Sequence, residues 1–300
     1  MKHSKNEIGL SRGDRTFNTL VNVLMSLILL IVLYPLIYVV SSSFSSASAI
    51  MAGRVLLWPV EPSLEGYRVV FSNREIMVGY YNSMRYMIFG TLCNVAMTMA
   101  AAYPLSRKET PLRGLWMFLF TFTMYFSGGL IPNYIQMMKL GIIDTLWVMI
   151  LPGAIAVYNM VLARTFLQNN LPGELLEAAQ IDGCNDVRYF FSMVLPLSKP
   201  VIAVIALYYA VGHWNAYFDA FIYLNSRRLY PLQLFLREIL VTNTMDPIYE
   251  LDPDLLVKKQ GLADLLKYSL IIVASAPMMF IYPLAQRHFV KGVMIGSLKG

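Results

Sequence analysis

Long apolar stretches separated by short polar segments dominate the chain. Six of them have the predominantly apolar length, about 20 residues, that a helix needs to cross the hydrocarbon core of a bilayer. They are residues 17–40, 81–104, 114–135, 145–166, 198–223 and 266–286. Prolines within several of these stretches are tolerated in lipid, where neighbouring helices satisfy the freed carbonyl groups. The pattern predicts an all-α integral membrane protein with six transmembrane helices.

Composition supports a protein dissolved in lipid rather than one folded around a soluble core. Hydrophobic residues make up 57% of the 300 residues and charged residues only 14%, whereas a soluble domain has about 25% charged residues. The net charge of +6 comes from basic residues that flank the apolar stretches and form no patch. We therefore interpret the basic residues as orientation signals in a membrane and expect no nucleic-acid partner.

Lysine and arginine predict the orientation. They are more frequent in the N-terminal tail, the 105–113 loop, the 164–199 stretch and the C-terminal tail than in the short segments of the opposite side. Because cytoplasmic loops have this excess, we expect both termini in the cytoplasm and a multi-pass protein of a bacterial cytoplasmic membrane. The predicted parts are tails 1–16 and 290–300, a permease domain 17–289, and long external loops 41–80 and 225–265.

Residues that would support catalysis or metal binding are not grouped in the sequence. There is no phosphate-binding GxxxxGK[ST] loop and no HExxH pattern, and the histidines are isolated. Cys93 falls in a predicted span and Cys184 in a predicted cytoplasmic loop, so a disulfide is not expected. We predict no catalytic residue, no metal site and no cofactor in this chain.

The cytoplasmic segment 171–200, LPGELLEAAQIDGCNDVRYFFSMVLPLSKP, is more ordered than a simple connector requires. Pro172 suits the first position of a helix, and Glu174 and Glu177 place negative charge near the positive end of its dipole. Gly183 is a natural stop, and a second, shorter amphipathic piece follows. The residues alone leave two interpretations open: short helices resting on the lipid surface, or a docking element for a cytoplasmic partner.

The spacing in this segment resembles the EAA loop of ABC importer permeases. Glu177-Ala178-Ala179 is followed by three residues and Gly183, then by nine residues, Met193, one residue and Leu195-Pro196. Met193 replaces the usual isoleucine. Asp182 and the LPLSKP ending are similar to the carbohydrate-uptake, maltose-type permeases. Further strings resemble the LplC-like subfamily of these binding-protein-dependent inner-membrane components: SGGLIPNY at 127–134, YNM at 158–160, WNAYF at 214–218, LYPLQ at 229–233 and the final QRHFVKGVMIGSLKG.

This resemblance implies a coupling helix that sits in a cleft of an ATPase subunit, between transmembrane helices 4 and 5. The coupling residues it implies are Glu174, Glu177, Ala178, Ala179, Asp182, Gly183, Leu195 and Pro196. It also implies two ABC ATPase subunits that bind ATP and Mg, a second, related permease chain, and an extracytoplasmic solute-binding protein. The implied substrate is a carbohydrate.

Polar and aromatic residues within the predicted spans are candidates for the substrate path, because aromatic faces stack on sugar rings while hydroxyl groups need hydrogen-bond partners. The candidates are Tyr209, His213, Trp214, Asn215 and Asp219 in the fifth span, with Asn159, Tyr125, Asn82 and Asn94 elsewhere as candidates of lower rank. Tyr and Trp also belong to the interfacial belts of membrane proteins, which is the competing explanation. Arg227 and Arg228, in an external loop, are a further feature that would suit acidic sugars.

A stand-alone secondary transporter or channel is the alternative function. Such proteins often have more spans, inverted repeats and ionisable residues at the midplane of the membrane. The predicted spans have almost no charge at their centres, and no repeat is visible. A membrane-embedded enzyme ranks last, because no acid–base pair or nucleophile lies within the spans.

Overall fold

The structure, a computed structural model, describes residues 12–242 and 253–297, and every regular element within these ranges is helical. The helices are α1 (Arg12–Ser43), α2 (Ala47–Met51), α3 (Glu65–Ser72), α4 (Arg74–Ser106), α5 (Arg113–Tyr125), α6 (Leu130–Lys139), α7 (Val157–Asn170), α8 (Gly173–Ile181), α9 (Asp186–Tyr189), α10 (Leu195–Leu197), α11 (Lys199–Trp214), α12 (Tyr217–Tyr223), α13 (Leu232–Thr242) and α14 (Pro253–Ser297). Short 3₁₀ turns occupy Leu146–Met149 and Arg227–Leu229, and Phe190–Val194 is a π-helical stretch.

Three helices are long and apolar enough to cross a membrane: α1, α4 and the part of α14 from Gly261 to Pro283. Two further candidates are helix pairs bent at a short break, α5 with α6 at 115° and Asp186–Leu197 with α11 at 80°. By length and composition, the described residues therefore contain three to five candidate spans. The all-helical, membrane-type fold predicted from the sequence is confirmed at this level.

The other three predicted spans are interrupted, which hydropathy did not predict. Residues 114–135 divide between α5 and α6 at a glycine pair, where Gly129 has a φ of +88°. Residues 145–166 contain a 3₁₀ turn and a loop with Gly153 at a φ of +71° before α7 begins. Residues 198–223 divide at Asn215, which ends α11. Glycines and short polar caps hardly lower the average hydropathy of a stretch, although they do end helices.

The predicted external loop 225–265 is largely helical, because α13 and the beginning of α14 lie within it. Residues 243–252 of that loop lie outside the described residues. The same holds for most of the predicted N-terminal tail and for the last three residues of the chain. Within the described residues, α1 begins before the predicted span and α14 extends into the predicted C-terminal tail.

The chain divides into two compact units. One contains the described residues up to Val70 and those from 253 to Ile272, and Ala49, Ile50, Val55 and Leu265 form its buried cluster. The other contains the described residues from Phe71 to 242 and from Val273 onward. Its largest core joins α4, α7, α11 and residues 189–194. This core holds the candidate site in place, and its buried members are Met99, Ala102, Leu105, Met160, Ala163, Leu167, Tyr189, Val194, Val201, Ile205 and Tyr209.

Candidate functional site

Residues 171–200, called the coupling segment below, form a helix, a tight turn and a second helical piece. Helix α8 has Pro172 as its N-cap and ends at Ile181. Gly183 has a φ of +75°, its N–H donates to the Gln180 carbonyl at 3.0 Å, and the Cys184 N–H donates to the Ala179 carbonyl at 2.9 Å. A left-handed conformation costs a residue with a side chain roughly 1–2 kcal/mol. The glycine therefore sets the turn between the two helices.

One face of α8 packs on the protein and the other is open to solvent. Leu176 and Ala179 contact the core formed by α4, α7 and α11. The implied coupling residues Glu174, Glu177, Ala178, Asp182 and Gly183 are all exposed. Ile181, the last residue of α8, is 86% exposed. Helix α8 thus presents acidic side chains together with exposed Leu175 and Ile181, and its inner face anchors it to the core.

The second helical piece leads into α11. The Asn185 side chain caps α9 by accepting a hydrogen bond from the Arg188 N–H at 2.8 Å. Tyr189 and Val194 are buried in the core, so the piece is fixed along its inner face. Leu195 is partly buried and Pro196 is exposed. The chain then bends by 80° between Leu197 and Lys199.

A stripe of residues at every fourth position of α4 faces the rest of its unit. Its members are Asn82, Tyr86, Gly90, Asn94 and Thr98, all buried. Every fourth residue lies on one face of a helix, so the stripe is continuous. The four-residue spacing of these residues is visible in the sequence, where two of them, Asn82 and Asn94, are path candidates of lower rank.

The N-terminal half of this stripe holds the segment after α12. The Asn82 amide donates to the carbonyls of Arg228 at 2.8 Å and Tyr230 at 3.0 Å. The Tyr86 hydroxyl donates to the Leu229 carbonyl at 2.7 Å. These contacts satisfy backbone carbonyls of the 3₁₀ turn Arg227–Leu229 and of Tyr230, so they fix the position of this segment on α4.

The C-terminal half of the stripe contacts α11. The Asn94 amide nitrogen lies 3.0 Å from Nε2 of His213, and the Thr98 hydroxyl lies 2.6 Å from the Tyr209 hydroxyl. The Tyr209 hydroxyl also accepts from the Ala156 N–H at 3.0 Å. Gly90 allows the His213 ring to lie against α4, because a Cβ there would be 2.3 Å from Nε2.

The candidate path residues therefore divide into two groups. Tyr209, Trp214 and Asn159 are buried, and His213 is half-buried with its ring against α4. The Trp214 indole N–H donates to the Ala274 carbonyl at 2.9 Å. Asn215, Asp219 and Tyr125 are instead exposed. The structure does not bring the seven residues together at one cavity.

The segment after α12 is also held by Asp144, which the sequence pattern did not single out. Its carboxylate accepts from the backbone N–H groups of Asn225 at 2.9 Å and Ser226 at 2.8 Å. Burial favours the neutral acid, but the hydrogen bonds from Ser226 and Asn225 outweigh it and hold the pKa of Asp144 below its ordinary value.

Arg227 belongs to this network as well. Its guanidinium binds both carboxylate oxygens of Glu75, at 2.9 and 3.0 Å, and lies 3.2 Å from Glu238. Of the two adjacent arginines, Arg227 therefore has its charge paired with the carboxylates of Glu75 and Glu238.

Comparison with known proteins agrees with this arrangement. Residues 76–295 match the family described as "Binding-protein-dependent transport system inner membrane component". The chain is 37% identical over 289 residues to the polygalacturonan/rhamnogalacturonan transport system permease protein YtcP of Bacillus subtilis (strain 168), covering 96% of this chain and 99% of that protein. It is also 37% identical over 275 residues to Protein LplC of the same organism, covering 90% of each.

A solved structure is similar over almost the whole chain. It is a chain of a bacterial ABC transporter involved in the import of the acidic polysaccharide alginate, with a TM-score of 0.86 and 31% identity. The match covers 94% of this chain and 99% of that one. The resemblance stated from the EAA spacing is thereby confirmed, and the chain belongs to the family of binding-protein-dependent transport system inner membrane components, the permeases of ABC importers.

Proposed function

We propose that this chain is the permease subunit of an ATP-driven ABC importer for oligosaccharides derived from acidic polysaccharides. The observation that favours this most is the ordered coupling segment, with the EAA spacing and an exposed acidic face, in a chain of this family. YtcP is named for polygalacturonan and rhamnogalacturonan transport, and the similar solved transporter imports alginate. These polysaccharides contain acidic sugars, which supports the same substrate class for this chain.

In the proposed complex, the exposed face of α8 sits in a cleft of an ATPase subunit. Glu174, Glu177 and Asp182 would pair with basic residues of that cleft, and Ala178 would allow close approach. Leu195 and Pro196 would keep the segment attached to α11. ATP and Mg would be bound by two partner ATPase subunits, and a second, related permease would supply the other half of the path. An extracytoplasmic solute-binding protein would deliver the sugar.

The proposed topology has six spans with both termini in the cytoplasm. The spans would be α1, α4, the bent pair α5–α6, residues 146–170, the pair α11–α12, and α14. Discontinuous helices are tolerated at membrane depth where they are buried in protein or line a cavity. This topology places the coupling segment and the 105–113 loop on the cytoplasmic side.

The proposed substrate path follows the exposed polar residues. Asn215, Asp219 and Tyr125 would line it together with the partner permease, because they are exposed in the single chain. Tyr209, His213, Trp214 and Asn159 would lie behind this surface and keep its helices in place. Aromatic and hydrogen-bonding groups in such a path suit sugar rings.

The test is co-expression of the chain with its partner subunits, followed by purification in detergent and uptake in proteoliposomes with oligogalacturonate or maltotriose. We expect the wild type to co-purify with an ATPase and to import oligogalacturonate. Glu177→Lys should lose most of the ATPase, because the substitution reverses charge in the docking face. Glu65→Lys, an exposed acidic residue of α3, is the matched control.

The outcomes separate the two parts of the proposal. Wild type that purifies without an ATPase would contradict the coupling role and favour a stand-alone transporter. Normal ATPase association with import of maltotriose alone would contradict the acidic substrate class and leave the permease assignment in place.

A further inference from the structure

An ion pair joins the C-terminal end of α4 to the coupling segment. Nη1 of Arg107 lies 2.6 Å from Oδ1 of Asp186, the first residue of α9, and 3.3 Å from the Tyr103 hydroxyl. Nε of the same guanidinium lies 3.5 Å from Glu109. The Arg107 side chain is only 19% exposed, whereas that of Asp186 is 62% exposed. A partly buried, hydrogen-bonded arginine holds its partner more firmly than an exposed pair does.

This ion pair lies beside a groove on the protein surface. A surface groove of about 630 Å³ lies between the end of α4 and residues 186–191, and both Arg107 and Asp186 line it. Aromatic rings touch across one side, where the centroids of Tyr103 and Phe190 are 5.2 Å apart. The ion pair and this ring contact therefore join the two elements across the groove.

The charge of Arg107 is firmly maintained. Burial favours loss of the proton, but the hydrogen bond and the negative charge of Asp186 outweigh it and raise the pKa of the guanidinium. Arg107 therefore keeps its positive charge at physiological pH.

The same end of α4 is also attached to α7. Nε of Arg164 donates to the Leu105 carbonyl at 2.9 Å, and the Gln168 amide donates to the Ser106 carbonyl at 3.3 Å. These bonds satisfy carbonyls that a helix end leaves without partners. Residues 105–107 are thus the place where α4, α7 and the coupling segment meet.

The other end of α4 is attached to the segment after α12. Glu75 pairs with Arg227, and Asn82, Ser83 and Tyr86 hydrogen-bond the backbone between residues 228 and 232. Helix α4 is continuous over its 33 residues, a length of about 50 Å. One continuous helix, with Pro104 near its end, therefore has the coupling segment at its cytoplasmic end and this segment at its outer end.

We propose that Arg107 is a positioning residue that transmits displacement of the coupling segment to α4, through its pair with Asp186. This proposal rests on the proposed function, in which the ATPase subunits move the coupling segment. Helix α4 would then move α11, through its contacts with Tyr209 and His213, and the outer segment at residues 228–232. Without the pair, α8 and α9 would still dock on the ATPase but would move partly independently of α4.

The test uses the complete importer in proteoliposomes and measures oligogalacturonate imported per ATP hydrolysed. We expect Arg107→Ala and Asp186→Asn to keep the co-purified ATPase and to lower this ratio about fivefold or more, the lower range of typical coupling effects. The charge-reversed double variant, Arg107→Asp with Asp186→Arg, should regain much of the ratio. Lys108→Ala removes an exposed neighbouring cation and should leave the ratio unchanged.

Several results would overturn the proposal. One is an unchanged ratio of sugar imported to ATP hydrolysed in Asp186→Asn. Because the Asp186 side chain is exposed, we expect this variant to fold even if Arg107→Ala is poorly expressed. A double variant no better than the single ones would also count against it. Both results presuppose a wild type that binds its ATPase, so they are distinct from a wild type without ATPase, which contradicts the proposed function itself.

Discussion

At the scale of single residues, the partner of a side chain decides its role. Tyr209 and His213 belong to an aromatic and polar cluster in the sequence of the fifth predicted span, which favoured a place in the substrate path. Their polar groups instead meet Thr98 and Asn94 of α4, residues more than 100 positions earlier in the chain. Gly90 makes room for this contact, since it lies directly against the His213 ring.

Gly90→Ala should therefore destabilise the protein. The added methyl group would lie 2.3 Å from Nε2 of His213, and overpacking of this kind costs about 1–3 kcal/mol. A fluorescence melting curve of the detergent-purified protein should show a lower midpoint. Gly212→Ala, on α11 with no atom within 4 Å of the added Cβ, is the control and should not lower it. Equal midpoints for the two variants would contradict the close packing of α4 against α11.

At the scale of elements, the sequence predicted the coupling segment more accurately than it predicted the spans. Helix α8 ends at Ile181, just before the stop expected at Gly183, because capping and turn signals act over a few neighbouring residues. The breaks in the third, fourth and fifth predicted spans were missed. Whether a helix in lipid continues through a glycine or bends there depends on which neighbours satisfy its backbone, and hydropathy contains no such information.

Gly183→Ala should weaken the association with the ATPase. The left-handed backbone would cost alanine roughly 1–2 kcal/mol, so the turn should relax and reorient α8, and we expect binding about fivefold weaker or more in a pull-down titration with the ATPase. Gly141→Ala is the matched control, because Gly141 has a φ of +67° and, like Gly183, no atom within 4 Å of an added Cβ. The same weakening in both variants would show that the turn at Gly183 is not specific to docking.

At the scale of the whole molecule, the sequence predicts which side of the membrane each loop faces. Short segments rich in lysine and arginine are expected on the cytoplasmic side, and the coupling segment lies among them. The proposed topology therefore places the 105–113 loop and the loop containing Lys139 on opposite sides of the membrane.

Cysteine labelling tests the orientation directly. In a background with Cys93→Ser and Cys184→Ser, the exposed residues Lys108 and Lys139 are each replaced by cysteine. A membrane-impermeant maleimide should label Lys139→Cys in intact cells, and Lys108→Cys only after permeabilisation, because the two loops are expected on opposite sides. The reverse labelling pattern would place the coupling segment outside and remove the basis for ATPase docking.

The sequence by itself determined the membrane nature of the chain, the positions of its apolar stretches, the helix–turn–helix form of the coupling segment and the family. These follow from hydropathy, capping and motif spacing, which are local properties of neighbouring residues. Only the tertiary structure decided that Arg107 pairs with Asp186, that Tyr209 and His213 face α4, and where the spans break. Arg107 and Asp186 are 79 residues apart, and Asn94 and His213 are 119 apart. Such pairings depend on how helices distant in sequence pack together, and the pattern of neighbouring residues does not specify that packing.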